Sequence, residues 1–96
     1  MAQTILYVED NDDNALMIQL ILKREGFTVQ IAKDGETGLQ LARELRPDLI
    51  LLDYHLPGII KGPDFVRTVR GTSQIADIPI IMLTADTSTY PESMQS

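Results

Sequence analysis

The chain has 96 residues, of which 44% are hydrophobic and 23% charged, with a formal net charge of −6 and no cysteine. This composition predicts one small globular domain and excludes a disulfide framework, a thiolate nucleophile and a Cys-based metal site. The acidic balance argues against nucleic-acid binding by this segment, because neutralising phosphates requires a basic face. We find no signal peptide and no apolar run of the roughly 18 residues that cross a membrane, so we expect a cytoplasmic protein without membrane contact.

Strands and helices are predicted to alternate from the first residues onward. Residues 4–8 form a continuous apolar strand, which is typical of a parallel sheet covered on both faces. Asp12 or Asp13 is expected to cap a helix that runs to about Glu25. Residues 27–32 then alternate enough to predict a second strand nearer the edge of the sheet.

The second half of the chain repeats this pattern. A helix carrying Leu39, Ala42 and Leu45 is ended by Pro47, and residues 48–52 form an apolar central strand.

A third helix is predicted to start near Pro63, a fourth strand to span residues 78–83, and a further helix to begin near residues 91–92. Strands joined by helices imply right-handed crossovers, so we predict an α/β fold with one parallel sheet.

Acidic side chains follow two of the predicted strands. Glu9 and Asp10 come directly after the first strand and Asp53 ends the third, so parallel packing places all three at one edge of the sheet. Oxygen ligands of this kind suit Mg²⁺. Asp53 is also a candidate nucleophile toward phosphorus, with Thr84 and the backbone N–H of Ala85 as donors to phosphoryl oxygens.

Each of these residues also has a simpler explanation. Asp12 and Asp13 are read as a solvated helix start, Asp53 taken alone is equally well explained as a turn residue, and Tyr7 is read as a packing aromatic. His55 is the one histidine and has no Cys or second His to support a zinc site. The joint position of the three acids at one edge favours a site.

Two apolar surfaces lack a predicted partner. From residue 16 to residue 22 every residue except Gln19 is apolar, which is more than one buried stripe of a helix requires. Residues 80–83 would form a long apolar edge of the sheet, which is prone to pair with another chain. A homodimer through the first helix and the fourth strand would cover both surfaces.

Three motifs together resemble the receiver domain of bacterial two-component response regulators: VEDN at residues 8–11, LLDYHLPG at 51–58 and IPIIMLTA at 78–85. The resemblance implies a flavodoxin-like, doubly wound parallel sheet with strand order 2-1-3-4-5. It also implies that Asp53 accepts a phosphoryl group from a sensor histidine kinase or histidine phosphotransfer protein. The implied Mg²⁺ ligands are Glu9, Asp10, Asp53 and the backbone carbonyl of His55.

The resemblance assigns roles to two further residues, and the sequence differs from the family in one respect. Thr84 would be the switch hydroxyl and Ala85 the small residue beside it. The family has a fifth strand that ends in a Lys and a fifth helix that packs on the first, and the sequence stops before both. We therefore expect a single receiver domain over residues 1–96, incomplete at its C-terminus, with strand order 2-1-3-4. Lys61, in the loop after Asp53, is hypothesised to replace that Lys in part.

The predicted protein is a signalling switch that assists its own phosphorylation and dephosphorylation and has no independent enzymatic activity. Two alternatives stay open at this point. One is a Mg²⁺-dependent phosphatase or phosphotransferase that uses Asp53 as its nucleophile. The other is an interaction module that never accepts phosphate.

Overall fold

The computed structural model of the protein describes residues 3–83, which form a parallel four-stranded sheet with three helices. In chain order the elements are β1 (Thr4–Val8), α1 (Asp12–Arg24), β2 (Thr28–Ala32), α2 (Gly35–Leu45), β3 (Leu49–Asp53), α3 (Gly62–Arg70) and β4 (Ile80–Leu83). The strands lie in the order β2-β1-β3-β4 and every neighbouring pair is parallel. The predicted α/β fold and the order 2-1-3-4 are confirmed. Thr84, Ala85 and the helix predicted near residues 91–92 lie outside the described residues.

The main core is built on the two central strands. Leu6 of β1 and Ile50 and Leu52 of β3 are fully buried on the face of the sheet that α2 and α3 cover. They belong to one cluster with Phe65 and Val69 of α3, which are equally buried. Each such side chain stabilises the fold by about 1.5–3 kcal/mol relative to its exposed state.

Helix α1 begins one residue earlier than a cap at Asp12 would require, and two earlier than a cap at Asp13 would require. Asn11 has extended backbone angles (φ −83°, ψ 116°), and its side-chain oxygen accepts the Asn14 N–H at 2.9 Å, which makes it the N-cap. Asp12 and Asp13 lie in the first turn, where acidic side chains stabilise a helix by interacting with its dipole. Asp12 also forms an exposed salt bridge with Lys33, with an N–O distance of 2.8 Å. The cap prediction was therefore wrong by one or two residues.

Helix α1 leaves most of its apolar side chains uncovered. Ala15 is its one buried residue. Leu16, Met17, Leu20 and Ile21 are each between 51% and 55% exposed. The described part of the chain therefore supplies a cover for only one narrow face of this helix, as the apolar run had predicted.

Strands β2 and β4 begin later than predicted because the first residues predicted for them make other hydrogen bonds. The Phe27 N–H donates to the Leu22 carbonyl at the end of α1, so β2 starts at Thr28. The Ile78 N–H donates to the Ile75 carbonyl, and the Ile78 carbonyl accepts from the Arg70 guanidinium at 2.8 Å. Residue 78 therefore belongs to a turn, and β4 starts two residues later.

Strand β4 lies at one end of the described sheet. Ile81 and Met82 in this strand are 49% and 37% exposed.

Among residues 3–83, no helix has both the length and the apolar character required to cross a bilayer.

Candidate metal-binding site

Three acidic side chains meet at the edge of the sheet where β1 and β3 end. Carboxylate oxygens of Glu9, Asp10 and Asp53 all lie within 4.8 Å of one another. Glu9 and Asp10 directly follow β1, and Asp53 is the last residue of β3. Because β1 and β3 are neighbouring parallel strands, in register from Ile5 and Leu49 onward, their carboxyl ends coincide. The structure thus brings together the three carboxylates that the sequence singled out.

Glu9 is the most constrained of the three acids. It is 6% exposed, and its backbone N–H donates to the Ala32 carbonyl at 2.8 Å, which continues the pairing of β1 with β2. One carboxylate oxygen, Oε2, accepts from the Tyr7 hydroxyl at 3.3 Å. The other, Oε1, accepts from the Asn11 N–H at 3.2 Å. Both oxygens therefore have a fixed donor and retain lone pairs for a cation.

Burial and nearby charge shift the pKa values of Glu9 and Tyr7. Burial raises the pKa of Glu9 above 4.5, and the nearby charge of Asp53 raises it further, while the hydrogen bond from the Asn11 N–H acts in the opposite direction. Burial, followed by the charge of Glu9, raises the pKa of Tyr7 to about 12. A bound cation would favour the ionised form of Glu9, because it would offset the repulsion between the carboxylates.

Asp53 and Asp10 differ from Glu9 in exposure. Asp53 is partly buried, and its Oδ1 accepts from the His55 N–H at 3.2 Å. The next residue, Tyr54, donates its N–H to the Leu83 carbonyl at 2.9 Å, so the end of β3 is tied to β4. Asp10 is exposed. Hydrogen bonds thus hold Glu9 at both carboxylate oxygens and Asp53 at one, whereas Asp10 faces solvent.

The cluster forms part of a cleft of about 640 Å³. Its polar wall contains Glu9, Asp10 and Asp53, and its apolar wall contains Met17 and Ile18 of α1. A neighbouring cleft of about 470 Å³ shares Asp10 and His55 with the first and includes Lys61. Asp10 therefore borders both clefts, whereas Glu9 and Asp53 line only the first.

The donor set fits Mg²⁺. This ion takes oxygen ligands at about 2.0–2.1 Å in an octahedron, so two ligands on opposite sides of it lie about 4.2 Å apart. The carboxylate oxygens span up to 4.8 Å. Binding one ion would require the three oxygens to move closer together, because adjacent ligands of the octahedron lie only about 3.0 Å apart. The remaining positions would be open to water and other oxygens.

Lys61 lies in the second cleft, where it is bound to its own loop. Its ammonium group donates to the Leu56 carbonyl at 3.0 Å, and its backbone N–H donates to the Asp64 carboxylate at 3.4 Å. It thereby braces the segment between β3 and α3. His55 is exposed, and its ring meets that of Tyr54 edge to face with centroids 5.0 Å apart. The roles of Lys61 and of the His55 carbonyl remain predictions.

The sequence reading missed one contributor to the site. Tyr7 was interpreted as a packing aromatic, yet its hydroxyl reaches Glu9. The available signal was strand periodicity, because residues two apart in a strand point to the same face. Tyr7 and Glu9 are two apart at the end of β1.

The comparisons with known proteins agree with this geometry. The family model described as the response regulator receiver domain matches residues 5–95. The DNA-binding response regulator MtrA of Mycolicibacterium smegmatis is 46% identical over 89 residues, which are 93% of this chain and 37% of that protein. The transcriptional regulatory protein AfsQ1 of Streptomyces coelicolor is 48% identical over 82 residues, 85% of this chain and 35% of that protein. The chain thus spans little more than a third of the length of these relatives.

Solved structures with the same fold cover most of the chain. The chemotaxis protein CheY4 of Vibrio cholerae has a TM-score of 0.84 and 36% identity, and the match covers 99% of this chain and 77% of CheY4. The receiver domain of sensor histidine kinase PA1611 from Pseudomonas aeruginosa, solved with a magnesium ion coordinated in its active site cleft, has a TM-score of 0.85 and 35% identity over 93% of this chain and 72% of that one. Since the family model, the fold and the relatives agree over nearly the whole length, this chain belongs to the receiver domains of two-component response regulators.

Proposed function

We propose that this receiver domain is a phosphorylatable switch in which Asp53 accepts a phosphoryl group in the presence of Mg²⁺. The donor would be the phosphohistidine of a sensor histidine kinase or of a histidine phosphotransfer protein. The observation that carries the proposal is the meeting of Glu9, Asp10 and Asp53 within 4.8 Å at the carboxyl edge of a receiver fold. Mg²⁺ in the active site cleft of the PA1611 receiver domain supports it further.

Each side chain of the cluster would have a distinct role. Glu9, Asp10 and Asp53, with the backbone carbonyl of His55, would hold Mg²⁺, which when bound offsets negative charge on the phosphoryl oxygens. An oxygen of Asp53 attacks phosphorus to form an acyl phosphate. The P–N bond to the donor histidine breaks at the same time, and its electron pair stays on the imidazole nitrogen. Asp53 is well placed for this attack because it ends a strand of the core and is partly open to the cleft.

Two roles in the proposal fall on residues outside the described part of the chain. Thr84 would act as the switch hydroxyl that hydrogen-bonds the phosphoryl group, and the Ala85 N–H would donate to the same oxygens. Phosphorylation would then bias two arrangements of the segment after β4. The motif at residues 78–85 supports this assignment.

Labelling with acetyl phosphate and Mg²⁺ tests the phosphoacceptor. Asp53→Asn should abolish formation of a hydroxylamine-sensitive acyl phosphate, as detected by intact-protein mass spectrometry. Asp48→Asn is the matched control, because Asp48 precedes the opposite end of β3 and its carboxylate accepts the Thr4 N–H at 2.7 Å. Asn keeps that acceptor, so this variant should be labelled like the wild type. Labelling that persists in Asp53→Asn, or that is absent from the wild type, would contradict the proposal.

The same proposal includes no independent enzymatic activity. The domain would assist its own phosphorylation and dephosphorylation, which the disappearance of the acyl phosphate would report. Haloacid-dehalogenase-like phosphatases carry a second acid two residues after the nucleophile, and here that position is His55. Sustained turnover of a generic phosphomonoester, lost on Asp53→Asn, would instead support a phosphatase.

The remaining expectations about partners and context stay predictions. Self-association would use the exposed residues of α1 and β4, and light scattering after size exclusion tests it over a range of concentrations. MtrA is named as DNA-binding, but the match covers 37% of that protein and does not locate the DNA-binding part. We therefore keep the predictions that this segment itself contacts no nucleic acid, that it is cytoplasmic, and that residues 1–96 form a single domain.

A further inference from the structure

The Glu9 carboxylate is held in a way that the other two acids are not. Its Oε2 accepts from the Tyr7 hydroxyl and its Oε1 from the Asn11 N–H, and the residue is 6% exposed. Tyr7 itself is 3% exposed, so its ring has little freedom to move. Asp10, on the adjacent position, is exposed. Of these two neighbouring acids, Glu9 therefore has a carboxylate that hydrogen bonds hold in place, and Asp10 has one that faces solvent.

We propose that the Tyr7 hydroxyl is a positioning group for metal binding, which holds the Glu9 carboxylate in the orientation that Mg²⁺ requires. This inference rests on the proposed function of the acidic cluster as a Mg²⁺ site. Tyr7 does not touch the ion in the proposal; it acts through Glu9. The family resemblance assigned Tyr7 no role.

The length of the glutamate side chain makes its orientation costly to fix. Glu has one more rotatable bond than Asp, and immobilising a side chain that is free beforehand costs conformational entropy, which opposes binding. A hydrogen bond from a rigid donor removes that freedom before the ion arrives. The Asn11 N–H restrains one oxygen, and the Tyr7 hydroxyl restrains the other. Two restraints on one carboxylate define its plane as well as its position.

The position of Tyr7 in the fold makes it a reliable donor. It lies in β1, paired on one side with Ile31 of β2 and on the other with Leu51 of β3. A backbone held on both sides keeps the ring in place, and a buried tyrosine hydroxyl requires a hydrogen-bond partner. Groups that orient metal ligands from outside the coordination sphere typically change metal affinity by 10–100-fold when they are removed.

A competing explanation is that Tyr7 only fills the core and that Glu9 merely satisfies its hydroxyl. In that case removal of the hydroxyl would alter the free energy of unfolding and leave Mg²⁺ affinity unchanged. Tyr7→Phe keeps the ring and deletes only the donor. Comparing the Mg²⁺ dissociation constant with the stability measured in EDTA separates the two explanations.

The test measures Mg²⁺ binding by isothermal calorimetry for the wild type, Tyr7→Phe and Tyr54→Phe. Tyr54→Phe is the matched control, because it deletes a hydroxyl from a residue that is 45% exposed and adjacent to Asp53 in sequence. We expect Tyr7→Phe to weaken Mg²⁺ binding roughly tenfold and Tyr54→Phe to leave it near the wild-type value. In a Glu9→Gln background, Tyr7→Phe should cause no further loss, since the positioned carboxylate is already gone.

Each outcome decides the inference. Equal Mg²⁺ affinity of Tyr7→Phe and the wild type, or an equal loss in the presence and absence of Glu9, would overturn it and leave the proposed function intact. A wild type that binds no Mg²⁺ would overturn both. Should Tyr7→Phe fail to fold, the Tyr7 Cζ carbon resonance of the wild type serves instead. It should shift during a Mg²⁺ titration with the same midpoint as the Glu9 carboxyl carbon, and a Tyr7 signal that stays constant would refute the inference.

Discussion

Gly38 lies where α2 passes closest to β1 and α3, and an alanine there is expected to destabilise the fold. A Cβ at this position would lie 2.9 Å from Cε2 of Phe65 and 2.9 Å from Cγ2 of Val8. Both contacts are well inside the 3.5–4.0 Å at which carbon atoms attract one another. Phe65 and Val8 are fully buried, so neither has room to move away. The methyl group must therefore displace packed side chains or the helix itself.

Two effects of opposite sign determine the size of the change. Replacing Gly by Ala inside a helix stabilises it by about 1 kcal/mol through backbone entropy. Overpacking a well-packed core destabilises it by about 1–3 kcal/mol. Because Gly38 would meet two separate elements at once, we expect a penalty near the upper value and a net loss of about 2 kcal/mol.

Urea unfolding followed by far-ultraviolet circular dichroism measures this difference. Gly71→Ala is the matched control, since Gly71 caps α3 with φ −89° and its added Cβ would have no neighbour nearer than 3.5 Å. That variant should be neutral or more stable by about 0.5 kcal/mol, because alanine restricts the unfolded chain. The packing argument fails if Gly38→Ala is as stable as the wild type or changes as Gly71→Ala does. Val8→Ala should destabilise Gly38→Ala less than it destabilises the wild type, since the two sites are in contact.

Three further predictions address a helix cap, a pH dependence and the loop after β3. Asn11→Ala should lower the free energy of unfolding by about 1 kcal/mol, because α1 loses its capping acceptor; a change no larger than that of an exposed control substitution would argue against the cap. The Thr37 N–H holds the pKa of Asp34 below 3.8, so this group stabilises the fold above that pH and loses its contribution as the pH falls through the lowered value. Asp34→Asn keeps an acceptor that does not titrate, so urea midpoints should favour it increasingly over the wild type as the pH falls below 3.8. Lys61→Ala should slow acetyl-phosphate labelling of Asp53, and an unchanged rate would rule out a part for Lys61 in phosphorylation.

The sheet and the position of the acids were predictable because they follow from long-range regularities of the sequence. The apolar runs that form β1 and β3 are typical of inner strands of a parallel sheet. Glu9 and Asp53 directly follow these runs. Parallel strands end on the same side, so the convergence of these acids required no knowledge of side-chain conformations.

The start of α1 was not predictable at the level of single residues. Asn11, Asp12 and Asp13 are three consecutive residues that all favour the N-cap, and sequence preference alone does not separate them. The choice depends on which residue keeps extended backbone angles. Here the Asn11 N–H donates to Glu9, which fixes the chain just before the helix and makes Asn11 the last extended residue.

The hydrogen bond from Tyr7 to Glu9 was not predictable for a different reason. A tyrosine in an apolar strand is normally a packing residue, and periodicity placed it on the face of Glu9 without giving a distance. Only the side-chain conformation of Glu9, turned back toward its own strand, brings the carboxylate to the hydroxyl.

The two ends of the described sheet differ in a way that limits how copies of this domain can join. On β2 the exposed positions Thr28 and Gln30 are polar, whereas β4 presents Ile81 and Met82. Joining β4 of one copy to β2 of the next would be head-to-tail and could grow without limit into a fibre. Joining β4 to β4 uses the same surface twice and leaves β2, whose exposed positions are polar, at both outer edges of the sheet, so this arrangement is closed at a pair.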